Sequence, residues 1–492
     1  MKIFQLTALA LASTLLLAGC GSDNDSNIGS NNNSGSPSVP PKPPVNNNVT
    51  ELNQAKDIIK TAQQFVLDNK AITDAYKGAS DILTERQQQR INATFELPSV
   101  LYYYMKEKNI TTLNAASINA LAKNTEFNNY LNGITLLPKP DFVATINNKG
   151  QLSLTGASNV KTETFDYYDY VLNPQTGQYE PTMSTDNFDV VYKGFVDALT
   201  TTESATSFTG KFGFDSINIG SGADAVVFTS PSKGITVTGQ FSDKVTVDDE
   251  FDLDDINSAG ITLEKAVMKL GSVKVQANDS IIEAKDFELA FLGMSHKRAD
   301  GQLVTLTLPT TIKLTGHLIK GMPATNASIT LNAVANEADI KNIVKVTAQG
   351  NLTEETNRFV GMDVLLALKG TVAKKNGTTT ATIPLDIQAN LKRTARNVIE
   401  LQGLSAWVDG KNLYVTGKTN LDANYNVVGS QLKITQNNAV IVLNVDANNE
   451  FIKDSMGKLS DIMVNGKDFG DLLENNGKLS AKFTDNSVIP LG

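Results

Sequence analysis

The stretch DFVATINNKGQLSL, residues 141–154, sets the fold class. Phe142, Ala144 and Ile146 recur at every second position, Asn147 to Gly150 has turn composition, and Leu152 and Leu154 resume the alternation. A period of two puts these side chains on one face of a strand, so the stretch predicts a β-hairpin with a buried face. Asn173 to Gly177 and Arg298 to Gly301 read as further hairpin tips, and strand-like runs continue to the C-terminus.

Before residue 141 the period is that of a helix. Leu52, Ala55, Ile59, Ala62 and Val66 recur at spacings of three and four, and Ile72, Ala75, Tyr76, Ala79, Ile82 and Leu83 repeat the pattern. Tyr102-Tyr103-Tyr104-Met105 reads as core and interface contacts on a short helix opened by Pro98, rather than as a cofactor box. Asn114 and Thr125 are cap candidates for two further short helices, and Gly133 is a stop. The expected fold is therefore mainly β with a small N-terminal α-helical unit. The helical unit is expected over 50–135 and β regions over 140–320 and 321–492, the second either continuous with the first or separate from it, as an extended antiparallel meander or sandwich-like sheets.

Five runs share an ending, with an apolar alternation closing on alanine followed by asparagine: Asn278, Asn336, Asn390, Asn424 and Asn448. The expectation is that Ala277, Ala335, Ala389, Ala423 and Ala447 stay on the buried face while each asparagine turns the chain in the left-handed region. The asparagines are unevenly spaced, which excludes a solenoid of fixed period.

With 43 Lys+Arg against 52 Asp+Glu, the chain has a net charge of −9 and lacks the basic footprint of a nucleic-acid binder. At 41% hydrophobic it can bury a core. Beyond the N-terminus no apolar run approaches the ~20 residues of a spanning helix. Aromatic residues make up 7% of the chain, which holds one tryptophan, Trp407, and ends at Gly492. A membrane barrel is expected to carry aromatic girdles, so the sequence favours a soluble β structure.

Lys2, the apolar run Ile3 to Leu17, and Leu17-Ala18-Gly19-Cys20 form a cleavable signal too short to span a bilayer. The tetrapeptide resembles the lipobox of bacterial lipoproteins. The resemblance implies a signal peptide over 1–19, Cys20 as the acylated first residue of the mature chain, and a membrane partner held through that anchor. Gly21 stands where retention in the inner membrane usually requires Asp, so the resemblance points to the outer membrane of the cell envelope. Cys20 is the single cysteine, which leaves no intramolecular disulfide. Gly21 to Val49 contains 24 Asn, Ser, Gly, Pro or Asp residues among 29, so 20–49 is expected to be the lipidated cysteine and a disordered tether.

Catalytic patterns are missing. The two histidines, His296 in a basic hairpin tip and His317 in a strand, share no metal-ligand spacing with each other or with Cys20. Gly417-Lys418-Thr419 lacks the first glycine of a P-loop, and Ser230 to Lys233 and Ser455 to Lys458 lack the companions of a β-lactamase-type site. Asp248 to Asp255 places six carboxylates in eight positions without the glycine of a calcium loop, and Asp422 to Asn426 reads as a turn. No cofactor and no metal are expected.

Phe165, Tyr167, Tyr168 and Tyr170, across a hairpin from Tyr179, form the densest aromatic patch and the preferred contact for a protein or glycan partner. The expected function is a non-catalytic lipoprotein anchored in the outer membrane, with a β-rich binding or structural body. The alternatives are a lipid carrier with an apolar groove or, further off, a carboxylate-based glycan hydrolase.

Overall fold

The computed structural model describes residues 50–77, 83–198, 205–230, 234–247, 257–320, 325–354, 363–376, 379–395, 397–423, 426–448, 450–475 and 477–491. Within the helical segment lie α1 (Glu51–Lys77), α2 (Glu85–Glu107), β1 (Thr112–Asn114), α3 (Ala115–Leu121) and α4 (Thr125–Leu131). These elements do not stand as one body. The chain divides so that α2 and the residues from it to Phe287 form one unit, while α1 joins Glu288 to Gly492 in the other. The reason is which face each helix buries: Ala55, Ile58 and Ile59 of α1 pack with apolar residues between Leu413 and Phe483.

The start of α2 is closed by a capping box, in which Thr84 Oγ1 accepts from Gln87 N and Gln87 Oε1 accepts from Thr84 N. Pro98, expected to open a helix, lies inside this one. Proline has no N–H to give the carbonyl four residues back, that of Thr94. The buried Tyr192 hydroxyl donates to that carbonyl at 2.6 Å instead. A donor from a distant strand thus replaces the lost helix bond. Tyr192→Phe is expected to cost about 1–3 kcal/mol in denaturant unfolding, the penalty for a buried acceptor left without a partner.

Asn114 caps α3 as expected, accepting from Ser117 N at 2.9 Å. The cap of α4 is Asn124, one residue before the expected Thr125, and accepts from Phe127 N at 3.1 Å. Asn132 and Gly133, both at positive φ, end the helix.

The first unit continues with β2 (Ile134–Pro138), β3 (Val143–Ile146), β4 (Leu152–Leu172), β5 (Tyr179–Asp197), β6 (Ala205–Gly213), β7 (Ser216–Ile219), β8 (Val226–Thr229), β9 (Ile235–Val245), β10 (Leu263–Ala277) and the start of β11 (Ser280–Lys297). The three expected hairpin tips are present: Gly150 N donates to Asn147 O, Gly177 N to Asn173 O, and Gly301 N to Arg298 O. Among the described residues the ladders that join β1 through β10 are antiparallel. β6 and β7 follow each other along β5, and β10 pairs with β9 and then with β8, so the middle strands are long runs with a break. At that break buried Ser230 accepts from Gly234 N and donates to Ser272 O, which gives the hydroxyl a structural task. Edge-to-face aromatic pairs, Phe142 with Tyr192, Tyr192 with Phe195 and Phe214 with Phe228, fill this core.

The second unit contains β12 (Leu303–Lys320), β13 (Thr325–Val334), α5 (Glu337–Ile343), the small pair β14 (Val344–Val346) and β15 (Leu352–Glu354), then β16 (Asp363–Asn376), β17 (Thr379–Ala395), β18 (Val398–Val408), β19 (Lys411–Leu421), β20 (Val427–Gln436), β21 (Ala439–Val445), β22 (Lys458–Val464), β23 (Lys467–Asn475), β24 (Lys478–Phe483) and β25 (Val488–Pro490). β13 pairs with β16, and from β16 each strand pairs antiparallel with the next as far as β25. This is the expected extended meander. The boundary between units falls at Phe287, inside β11, and not near residue 320. No helix among the described residues is long and apolar enough to cross a membrane.

The alanine–asparagine endings follow the expectation only in part. Asn278 is left-handed, with φ 52°, behind a buried Ala277. Asn336 instead caps α5, accepting from Ala338 N. Asn390 is wholly buried within β17 at a ladder irregularity and makes no turn. Asn448 sits in a turn without positive φ, Ala423 and Ala447 are exposed, and Asn424 lies outside the described residues.

Candidate functional site

The aromatic patch falls on the β4–β5 hairpin. β4 is paired with β2 as far as Thr162, and β5 is paired with β7 from Val190 onward. Between these limits Glu163 to Leu172 of β4 and Tyr179 to Thr185 of β5 pair with each other and, among the described residues, with no third strand. Leu172 stands opposite Tyr179 and Phe165 opposite Met183, while Tyr167, Tyr168 and Asp169 form a bulge between Asp166 and Tyr170. The backbone therefore places all five aromatic positions on one two-stranded ribbon. The side chains of Phe165, Tyr167, Tyr168, Tyr170 and Tyr179 lie outside the described residues. From Thr162 to Tyr192 the chain holds six acidic residues and no Lys or Arg.

The root of the ribbon is fixed by charge. Asp186 of β5 is buried between two arginines one turn apart on α2: Arg90 Nε at 2.6 Å and Arg86 Nη2 at 2.6 Å. Arg90 is also buried, bonds Asp186 a second time at 2.9 Å, and lies over the Phe188 ring at 5.2 Å. The bonds from Arg90, then Arg86, hold the Asp186 carboxyl well below the usual carboxylate range despite burial. Arg86 extends toward half-exposed Asp224 at 3.5 Å. Residues almost a hundred apart meet here, so no local spacing could announce the cluster.

Several other readings find a structural place. His296 ends β11, and His317 in β12 faces Asn326 Oδ1 at 3.3 Å. Lys418 lies in mid-strand in β19, away from any helix start. Asp422 accepts from Asn426 N, the expected turn. Asp461, Asp468 and Asp471 bring carboxylate oxygens within 4.8 Å of one another. Lys458 places its ammonium 2.5 Å from Asp461 and 2.6 Å from Asp471, so these two acids are held by an internal cation, while Asp468 accepts from Gly470 N. Cys20, the tether and Asp248 to Asp255 lie outside the described residues.

No family model matches the chain, and comparison with curated proteins and with solved structures found no match.

Proposed function

We propose that this protein is a non-catalytic lipoprotein of the cell envelope, held by acyl chains on Cys20 in the outer membrane, whose β-rich body acts as a binding platform. The anchor reading rests on Leu17-Ala18-Gly19-Cys20 and the polar tether behind it. The binding reading rests on one observation, the β4–β5 ribbon, which runs past its neighbouring strands and carries five aromatic positions with no basic residue. Tyrosine suits a contact surface because it offers large area and one polar group at low entropic cost. A ribbon on a rooted hairpin supplies main-chain donors and acceptors as well.

The test is a photo-reactive amino acid at Tyr168 in the native cell, with a second chain carrying it at Lys149 in the β3–β4 turn as control. One discrete adduct at Tyr168, lost when Tyr167 and Tyr170 become serine and missing from the control, is expected. Equal labelling at both positions would remove the ribbon from the function.

A further inference from the structure

A second surface, in the other unit, is built differently. β21 and β22 pair at Ala439 to Ile441 and then separate. Beyond that point Val442 N donates to the Ser460 side chain, and Ile452 N takes up Asn444 O. Beside this separation lies a groove of about 390 Å³, in which Val440, Val442, Leu459 and Met463 share the walls with polar and charged side chains, Asp454 and the ion-paired Lys458 and Asp461 among them. The connection between the two strands turns outward, leaving Phe451 41%, Ile452 55% and Met456 76% exposed. Three large apolar side chains within six residues are unusual on a polar turn, and such clusters mark contact sites.

Charge at the mouth is one-sided. Lys453 is paired with Glu474, and Lys458 with Asp461 and Asp471, so the nearby cations are spent. Asp446 accepts from Asn448 N and Glu450 N, and Asp454 from Met456 N and Lys458 N. These donors hold both carboxyls below their ordinary range and keep them ionised. With Glu450 they give the segment that carries the apolar tip an acidic rim of three carboxylates along the chain, at 446, 450 and 454.

We propose that the β21–β22 fork is a docking site for an extended, cationic protein segment, its apolar side chains meeting Phe451, Ile452, Met456 and the groove, and its Lys or Arg residues meeting Asp446, Glu450 and Asp454. Charge complementarity selects this occupant: the acidic rim repels an anionic membrane surface and another copy of its own tip. The fork lies far along the chain from the ribbon and acts independently of it.

The test uses the purified full chain and a fluorescein-labelled nine-residue peptide alternating lysine and valine. Saturable binding is expected, weakened tenfold or more by Phe451→Ser, Ile452→Ser and Met456→Ser together, and weakened by added salt as charge pairing requires. The three side chains are exposed, so an unchanged melting temperature will show that the variant folds. A companion peptide with glutamate for lysine is expected not to bind. Equal binding by the triple variant, or by the glutamate peptide, overturns the proposal. So does tip-dependent binding to phosphatidylcholine vesicles, or tip-dependent dimerisation in sedimentation, without peptide binding.

Discussion

Cys20→Ala is expected to abolish incorporation of labelled palmitate and to leave the chain at precursor size. If the lipobox resemblance holds, the acylated sulfur is both the anchor and the mark that the signal peptidase reads, so a single substitution removes both events. No other cysteine can substitute for it. Under that resemblance the residue carries more than one acyl chain, which exceeds what reversible single-chain anchoring provides, and an acidic body with net charge −9 has no electrostatic hold on anionic lipid to fall back on. The altered chain should therefore leave the membrane fraction if it is cleaved by another route. Palmitate label retained by the Cys20→Ala chain would refute the anchor assignment.

Arg90→Ala is expected to destabilise the first unit by about 3–5 kcal/mol, because it leaves Asp186 charged and buried with only the more exposed Arg86 to meet it. Arg86→Ala should cost much less, its side chain being 56% exposed. Replacing Arg90 and Asp186 together with leucine should recover most of the loss, since the penalty comes from an unpaired charge and not from the absence of a pair. The pH dependence has a definite sign. Asp186 is depressed in the folded state, so its contribution is complete above the unfolded carboxyl range, about pH 4, and is lost as pH falls below that toward the folded value. In the Arg90→Ala chain the folded value rises and the acid-dependent loss shrinks. Urea unfolding at several pH values checks both; an Arg90→Ala chain as stable as the parent would show the cluster to be idle.

What could be read from sequence divides along the range of the interactions. The tips at Asn147, Asn173 and Arg298 were legible because turn chemistry is local, and the extended meander because alternation persists strand after strand. Asparagine was a poorer guide. Its side chain serves a left-handed turn at Asn278, a helix cap at Asn336 and a buried ladder irregularity at Asn390, and distant partners decide among these. The continuity of α2 through Pro98 was hidden for the same reason, since the compensating donor is Tyr192. The aromatic patch was visible as composition, but its isolation on two strands depends on where β2 and β7 stop, which no property of the patch encodes. The fork left no signal beyond three apolar residues in a turn.

The placement of α1 has a consequence for biosynthesis. This helix is made long before its partners: Lys56 pairs with Asp485, and Gln63 bonds the carbonyl of Pro490. Ala55, Ile58 and Ile59 stay without their apolar cover until the strands up to Phe483 have arrived. A chain that stops between α1 and Leu413 therefore presents an uncovered apolar helix face, where quality-control proteases and chaperones can grip it. The helix acts as a seal that closes only when the strands up to Phe483 are in place.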